Sequence, residues 1–203
     1  MRRRTRCTKF ALVTGACVAL AVGAWTLAAS VVLKAADHAW MHHELARAAR
    51  LYRLGTHSLL RSQRYRAYRA LGLLSISQYQ SAEAVAALRE ARRLARGRLQ
   101  RGEASMYLAW ELFVMDGHSL EAVRLAREAV REMPESAPAR TTLGLVLGMP
   151  PAVDRAEAEA AFRQAVVLSP KYADAHFYLG LLLLGEKRLG EAEEHLRSAL
   201  ALG

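Results

Sequence analysis

His38, His42 and His43 stand beside Glu44 and form the only histidine cluster in the chain. His38 and His42 share one helix face at i, i+4 spacing, a placement from which two imidazoles can grip a transition metal. The run His43-Glu44-Leu45-Ala46-Arg47 opens like a zinc-protease helix, but Arg47 sits where the second histidine belongs, so that signal fails. A solvated helix face fits these residues better. His57, His118, His176 and His195 are scattered, and neither a glycine-rich phosphate loop nor a nucleophile elbow occurs. The expectation is a chain that is not an enzyme and holds no metal or cofactor.

Cys7 and Cys17 are the only cysteines, so residues beyond them form no intrachain disulfide. Cys17 as a lipidation site is disfavoured by Thr14 upstream, where a larger apolar residue is expected, and by the apolar run that continues past it. Arginine is the remaining chemically interesting type. Residues 51–101 carry eleven arginines against Glu83 and Glu90, whereas residues 102–203 carry ten basic and fifteen acidic residues. The net charge of +10 therefore conceals a dipole along the chain. Arg61, Arg64, Arg66 and Arg69, interleaved with Tyr65 and Tyr68, have the composition of a phosphate-binding patch. Anionic lipid or an acidic protein flank is the expected counterpart across region 53–101, ahead of a merely solvated face, and nucleic acid is not expected.

The elements that hold these residues must be helices. Apolar residues make up 53% of the 203, enough for a substantial core, and Ala, Leu, Arg and Glu dominate while β-branched and aromatic residues are scarce.

Phe10 to Leu33 contains no ionisable side chain except Cys17. As a helix, this segment is about 36 Å long at 1.5 Å per residue, more than the roughly 30 Å of bilayer hydrocarbon. Arg2, Arg3, Arg4, Arg6 and Lys9 precede it, against Lys34, Arg47 and Arg50 just after, which places the N-terminus in the cytoplasm. Ala28-Ala29-Ser30 offers a processing site for a cleaved signal peptide, but the apolar stretch before it exceeds the usual length. An uncleaved anchor is preferred. Either reading places the body outside the cytoplasm, on the outer side of an inner (plasma) membrane, although the arginines past Arg50 would also suit a cytoplasmic leaflet.

The body is repetitive. Small and large residues recur in register at Tyr68-x2-Leu71-Gly72 with Ala84-x3-Leu88-x2-Ala91, and at Leu108-Ala109-x2-Leu112 with Ala122-x3-Ala126-x2-Ala129-x4-Pro134. They recur again at Leu143-Gly144-x2-Leu147 with Ala158-x3-Phe162-x2-Ala165-x4-Pro170, and at Leu179-Gly180-x2-Leu183 with Ala192-x3-Leu196-x2-Ala199. The separations from Leu71, Leu108, Leu143 and Leu179 to the first small alanine are 13, 14, 15 and 13 residues, the longest carrying the breaker Gly148-Met149-Pro150-Pro151. A Gly or Ala lets the two helices of a hairpin approach closely, the alanines of the second helix admit the next hairpin, and Pro134 and Pro170 end second helices. A generic amphipathic bundle would not repeat four columns at this interval.

The pattern resembles the tetratricopeptide repeat (TPR) family over roughly residues 65–203, the first unit lacking its proline and the second its glycine. The expected architecture is an all-α solenoid of about four repeats, 65–98, 102–135, 137–172 and 173–203. A basic segment 1–9, the transmembrane helix 10–33 and a helical linker or cap 34–64 precede it. The resemblance implies a concave groove lined by the first helix of each hairpin: Arg66, Arg69 and Leu73, then Met106, Trp110 and Phe113, then Thr141 and Leu145, then Asp174, Phe177, Leu181 and Leu184. An apolar and aromatic groove suits an apolar helix or an extended peptide. The alternative is that Trp110 and Phe113 are core residues, since a register error of one residue would turn them inward. The asparagine and lysine clamp by which some TPR domains hold a C-terminal carboxylate is absent.

Phe177 to Leu184 is apolar on every face and no polar end helix follows before Gly203, which predicts a partner surface or self-association at that end. The functional expectation is a membrane-anchored scaffold or adaptor that docks on a membrane protein complex or assists its assembly. The alternative is a stoichiometric structural subunit of such a complex.

Overall fold

A computed structural model describes residues 2–117, 119–148 and 154–203, with side chains from Leu20 onward. His118, the breaker residues Met149-Pro150-Pro151 and the side chains of the first half of the apolar span, Cys7 and Cys17 included, lie outside the described residues. Among the described residues ten helices follow one another: α1 Arg2–Met41, α2 Leu45–Gly55, α3 Arg61–Ser77, α4 Ser81–Leu94, α5 Arg98–Asp116, α6 Leu120–Glu132, α7 Ala137–Gly148, α8 Arg155–Leu168, α9 Ala173–Gly185 and α10 Leu189–Leu202. No strand occurs among those residues. Each odd-numbered helix packs antiparallel on the even-numbered helix after it, and each hairpin packs on the next.

The close approach within hairpins has a physical cause at three glycines. A Cβ on Gly72 would stand 2.7 Å from Leu88 Cγ, one on Gly144 2.6 Å from Phe162 Cε1, and one on Gly180 2.7 Å from Leu196 Cγ. Those distances are inside van der Waals contact, so any side chain there would force the helices apart. In the second repeat Ala109 takes the place of glycine and is fully buried. On the facing helices, small residues recur at helical spacing; Ala122, Leu125, Ala126 and Ala129 form the buried stripe of α6. One core runs through α4 to α10 around Leu88, Leu108, Leu125, Leu147, Phe162 and Leu179.

Four of the hairpin turns, α1–α2, α3–α4, α5–α6 and α9–α10, share a device. His43, Tyr79, Gly117 and Lys187 all have φ between 57° and 62°, the left-handed conformation that reverses the chain between the two helices of a pair. His43 thus has a backbone role, and α1 with α2 forms a hairpin of the same kind as the others. Helix α1 passes through residues 33–34 without a break. Its C-terminal turns are part of the stack: Leu33, Ala36 and Ala39 are buried with Ala48, Tyr52, Ala67 and Leu71 of α2 and α3.

The second helices are joined along the outside of the stack by a regular ladder of ion pairs. Arg53 of α2 meets Glu83 of α4 at 2.6 Å, Arg89 of α4 meets Glu121 of α6 at 2.9 Å, Arg127 of α6 meets Glu157 of α8 at 2.6 Å, and Arg163 of α8 meets Glu191 of α10 at 2.9 Å. Each of these glutamates sits in the first turn of its helix, where the helix dipole also favours negative charge. Exposed pairs of this kind stabilise by about 0.2–1 kcal/mol each. A less exposed pair lies behind them, Arg92 bidentate on Glu128 at 2.9 and 2.7 Å, with Arg92 Nε donating to Ser105 Oγ at 3.0 Å.

Candidate functional site

The first helices α3, α5, α7 and α9 carry a column of side chains immediately after the small residue of each crossing: Leu73, Trp110, Leu145 and Leu181. The crossing fixes their direction, because a residue next to one that faces the hairpin partner is rotated about 100° around the helix. A cavity of about 350 Å³ opens along this column, walled by Leu73 and Ile76 of α3, Met106, Tyr107 and Trp110 of α5, Pro138, Thr141, Thr142 and Leu145 of α7, and Tyr172, Asp174 and Tyr178 of α9. A second cavity of about 300 Å³ shares Trp110, Leu145 and Tyr178 with the first and adds Phe113, Arg155, Phe162, Leu181 and Leu182. The shared residues make the two a single groove across four repeats.

The groove is aromatic in the middle. Trp110 and Phe113 lie with ring centroids 6.2 Å apart, and Tyr178 stacks on Phe162 at 6.2 Å. The Tyr172 phenol is pushed up by burial and by neighbouring Asp174, and Tyr178 is raised by the same two causes. The Tyr172 hydroxyl is held by Asp174. The Thr141 hydroxyl is buried in the groove wall and has no hydrogen-bond partner among the described residues. An unsatisfied buried hydroxyl costs about 1–3 kcal/mol unless a ligand or water meets it.

The residues named from the sequence divide into three groups. Leu73, Met106, Trp110, Thr141, Leu145 and Asp174 line the first cavity, and Phe113 and Leu181 line the second. Arg66 and Arg69 are engaged elsewhere: Arg66 pairs with Asp37 of α1, and Arg69 Nε lies 3.0 Å from Glu103 of α5. Phe177 and Leu184 are 43% and 47% exposed; Phe177 leans edge-on against Tyr178, and Leu184 faces α10, where it borders a hollow with Leu189, Leu196 and Leu200. The sequence reading missed Tyr107 and Tyr178. Both lie two residues before the small residue of their crossing, in a column that reads Ala70, Tyr107, Thr142 and Tyr178.

Outside the groove, many arginines of region 53–101 have partners within the chain. Arg53, Arg66, Arg69, Arg89, Arg92, Arg93, Arg98 and Arg101 meet carboxylates, and Arg61 Nε donates to the Leu94 carbonyl at the end of α4 at 2.8 Å. Neighbouring Glu103 also bears on Tyr65, whose phenol is pushed up to about 12 by burial first and that carboxylate second. His38 and His42 lie with ring centroids 4.2 Å apart, and among the described residues no group of three or more His, Cys, Asp or Glu side chains gathers as a metal site.

No protein-family model matches the chain, and no curated protein does. Solved structures do. A crystal structure of MamA aligns with a TM-score of 0.65 at 20% identity, covering 82% of this chain and 93% of that one. YrrB, described as a TPR protein with an unusual peptide-binding site, aligns at 0.62 and 20% identity over 84% of both chains. TTC0263, a thermophilic TPR protein of Thermus thermophilus, aligns at 0.65 and 20% identity, covering 86% of this chain and 91% of that one. The chain has the fold of these proteins, an all-α stack of TPR hairpins.

Proposed function

We propose that this chain is a membrane-anchored scaffold which holds a partner protein in the groove between α3, α5, α7 and α9. The observation that carries the reading is the groove itself: one continuous aromatic and leucine-lined surface with a buried, unsatisfied Thr141 hydroxyl in its wall. Apolar floor with a few fixed polar groups is what an apolar helix or an extended peptide requires, since the floor supplies affinity and the polar groups set register. The likeness to YrrB supports a peptide as ligand class, because that structure is described by its peptide-binding site.

The membrane part rests on α1. Leu20–Met41 has a mean hydropathy of 1.4 and the apolar sequence reaches back to Phe10; because Leu33, Ala36 and Ala39 pack into the stack, the crossing falls within Phe10 to Leu33. Five basic residues before the span put the N-terminus in the cytoplasm and the groove on the outer side of the inner membrane. There the scaffold docks on, or assists assembly of, a membrane protein complex.

A second reading, a stably built-in subunit or a self-associating chain, is favoured by the outer face of α10. Leu189 and Leu200 are 63% and 84% exposed there, beside a hollow of about 370 Å³. Detergent extraction followed by size exclusion separates the two, since a subunit travels with its complex and an adaptor is lost.

Photo-crosslinking tests the groove. A crosslinker placed at Leu181 should give a discrete adduct in intact membranes, one placed at Arg124 on the outer side of α6 should not, and Trp110→Ala should abolish the first. An adduct at Leu181 that persists unchanged in Trp110→Ala would show that the partner lies elsewhere.

A further inference from the structure

The N-terminal ends of the odd-numbered helices lie along one edge of the stack, and α1 leaves the stack from that same edge. The chain between α2 and α3 forms a tip there, and its height against α1 is fixed by one side chain. Gln63 Nε2 donates to the Thr26 carbonyl at 3.1 Å and to Ser30 Oγ at 2.7 Å, while Gln63 Oε1 accepts from the Ser58 hydroxyl of the tip. Leu33 packs beside Gly55 on the same side, where an added Cβ would lie 2.6 Å from Leu33 Cδ2. The tip is therefore level with Thr26 to Ser30.

Span arithmetic gives that level a meaning. From Phe10, the first residue after Lys9, about 20 helical residues at 1.5 Å each are needed to cross roughly 30 Å of hydrocarbon. Twenty residues end at Ala29, between Thr26 and Ser30. Phe10 to Trp25 alone would be about 24 Å long and too short. The outer boundary of the bilayer and the α2–α3 tip coincide.

The side chains of the tip suit that position. Leu54, Leu59 and Leu60 are 60%, 58% and 44% exposed, an apolar group with nothing packed over it. Arg61 ties the tip to the end of α4 through the Leu94 carbonyl, which brings exposed Arg96 to the same edge. Leucines backed by arginines match the boundary between acyl chains and anionic head groups.

We propose that the α2–α3 tip is a second membrane contact, in which Leu54, Leu59 and Leu60 enter the interface of an anionic phospholipid bilayer beside α1 while the exposed Arg61 and Arg96 meet lipid phosphates. This rests on the reading of α1 as an anchor, and it adds a consequence. With two contacts and no flexible segment between anchor and stack, the solenoid stands at a fixed orientation and presents its groove in one direction. The bilayer itself covers the tip, so no protein is needed there.

The test uses the full chain with Cys7 and Cys17 changed to serine, reconstituted into phosphatidylcholine vesicles with or without phosphatidylglycerol. An environment-sensitive fluorophore is attached in turn at Leu20→Cys, Leu59→Cys and Tyr79→Cys, and lipid-borne quenchers report contact. Tyr79 is 95% exposed at the opposite end of α3 and serves as the reference. Expected are loss of emission at 20 in both lipids, loss at 59 that deepens with phosphatidylglycerol, and none at 79. Emission at 59 as bright as at 79, with 20 quenched, overturns the second contact, leaves the anchor standing and assigns the tip to a protein partner. Quenching at 59 indifferent to phosphatidylglycerol overturns the role of the arginines. An unquenched position 20 overturns the anchor reading instead, whatever position 59 does.

Discussion

The two ends of the hairpin stack solve the same problem differently. At the N-terminal end, α1 and α2 lie over the first TPR hairpin and bury Ala67, Ala70, Leu71 and Leu74 of α3 beneath Leu33, Ala36 and Tyr52. At the other end, α10 has an outer face on which Leu196 is half-buried and Leu200 stands open. A solenoid has only nearest-neighbour contacts, so an end hairpin has half the support of an inner one. The difference teaches that identical sequence columns do not have identical energetic weight.

The largest effect should come from the glycine crossings. Gly72→Val drives a side chain into Leu88, which is fully buried and cannot move aside, and should destabilise by about 3 kcal/mol. Gly180→Val meets Leu196 Cγ at the same distance; that side chain is half-buried and can shift, but the Leu196 backbone nitrogen at 3.2 Å cannot, so a smaller loss of about 2 kcal/mol is expected. Urea unfolding of both variants measures the gap; equal losses would erase the distinction between the ends.

The ion pairs should show the same gradient on a smaller scale. Glu128→Ala strands Arg92, whose partner carboxylate is 10% exposed, and should cost about 2 kcal/mol. Glu191→Ala removes an exposed rung at the C-terminal end and should cost clearly less than Glu128→Ala. A double-mutant cycle with Arg92→Ala or Arg163→Ala isolates each pair.

Acid should loosen the C-terminal end first. His195 Nδ1 lies 3.1 Å from His176 Nδ1, and His176 Nε2 lies 3.1 Å from the Pro170 carbonyl. Burial, then the neighbouring His176, holds His195 below its ordinary value of 6.5. The unfolded chain thus takes up the proton before the folded one, so this contribution is full above pH 6.5 and declines as the pH falls through that value. Glu191, held at about 2 by hydrogen bonds from Arg188 and Arg163, contributes above its ordinary 4.5 and loses that contribution only between there and about pH 2. Protection factors in α9 and α10, taken relative to the intrinsic exchange rate at each pH, should therefore fall between pH 7.5 and 5.5 while those in α3 and α4 change little, and His195→Gln should remove the difference. Protection that falls equally in all four helices would contradict it.

The smallest effect should be a gain. Tyr79 holds φ 57° with its side chain almost fully exposed, so Tyr79→Gly should raise stability by about 0.5 kcal/mol. Lys187→Gly, in the equivalent turn of the end hairpin, should give no more than that. Thermal melts resolve the ranking.

Legibility followed the size of the signal. The hairpins were readable because close packing tolerates only small residues at Gly72, Ala109, Gly144 and Gly180, and that leaves a mark in the sequence. The ladder was equally periodic, with Glu83, Glu121, Glu157 and Glu191 each preceding the first small alanine of its helix, but exposed charges read as solvated until their partners about thirty residues earlier are seen across the surface. Of the groove positions that the family resemblance implied, Leu73, Trp110, Leu145 and Leu181 border the cavities, whereas Arg66 and Arg69 pair with Asp37 and Glu103 from other helices, partners that no local spacing reveals.

By itself the sequence determined that the chain is helical, that its helices pair and stack, and which columns are small, because those properties depend on side-chain volume and local spacing. Tertiary structure alone decided which arginines are neutralised and that the α2–α3 tip sits level with Ser30. Those outcomes depend on which surfaces face each other across tens of residues, and no local pattern encodes a distance.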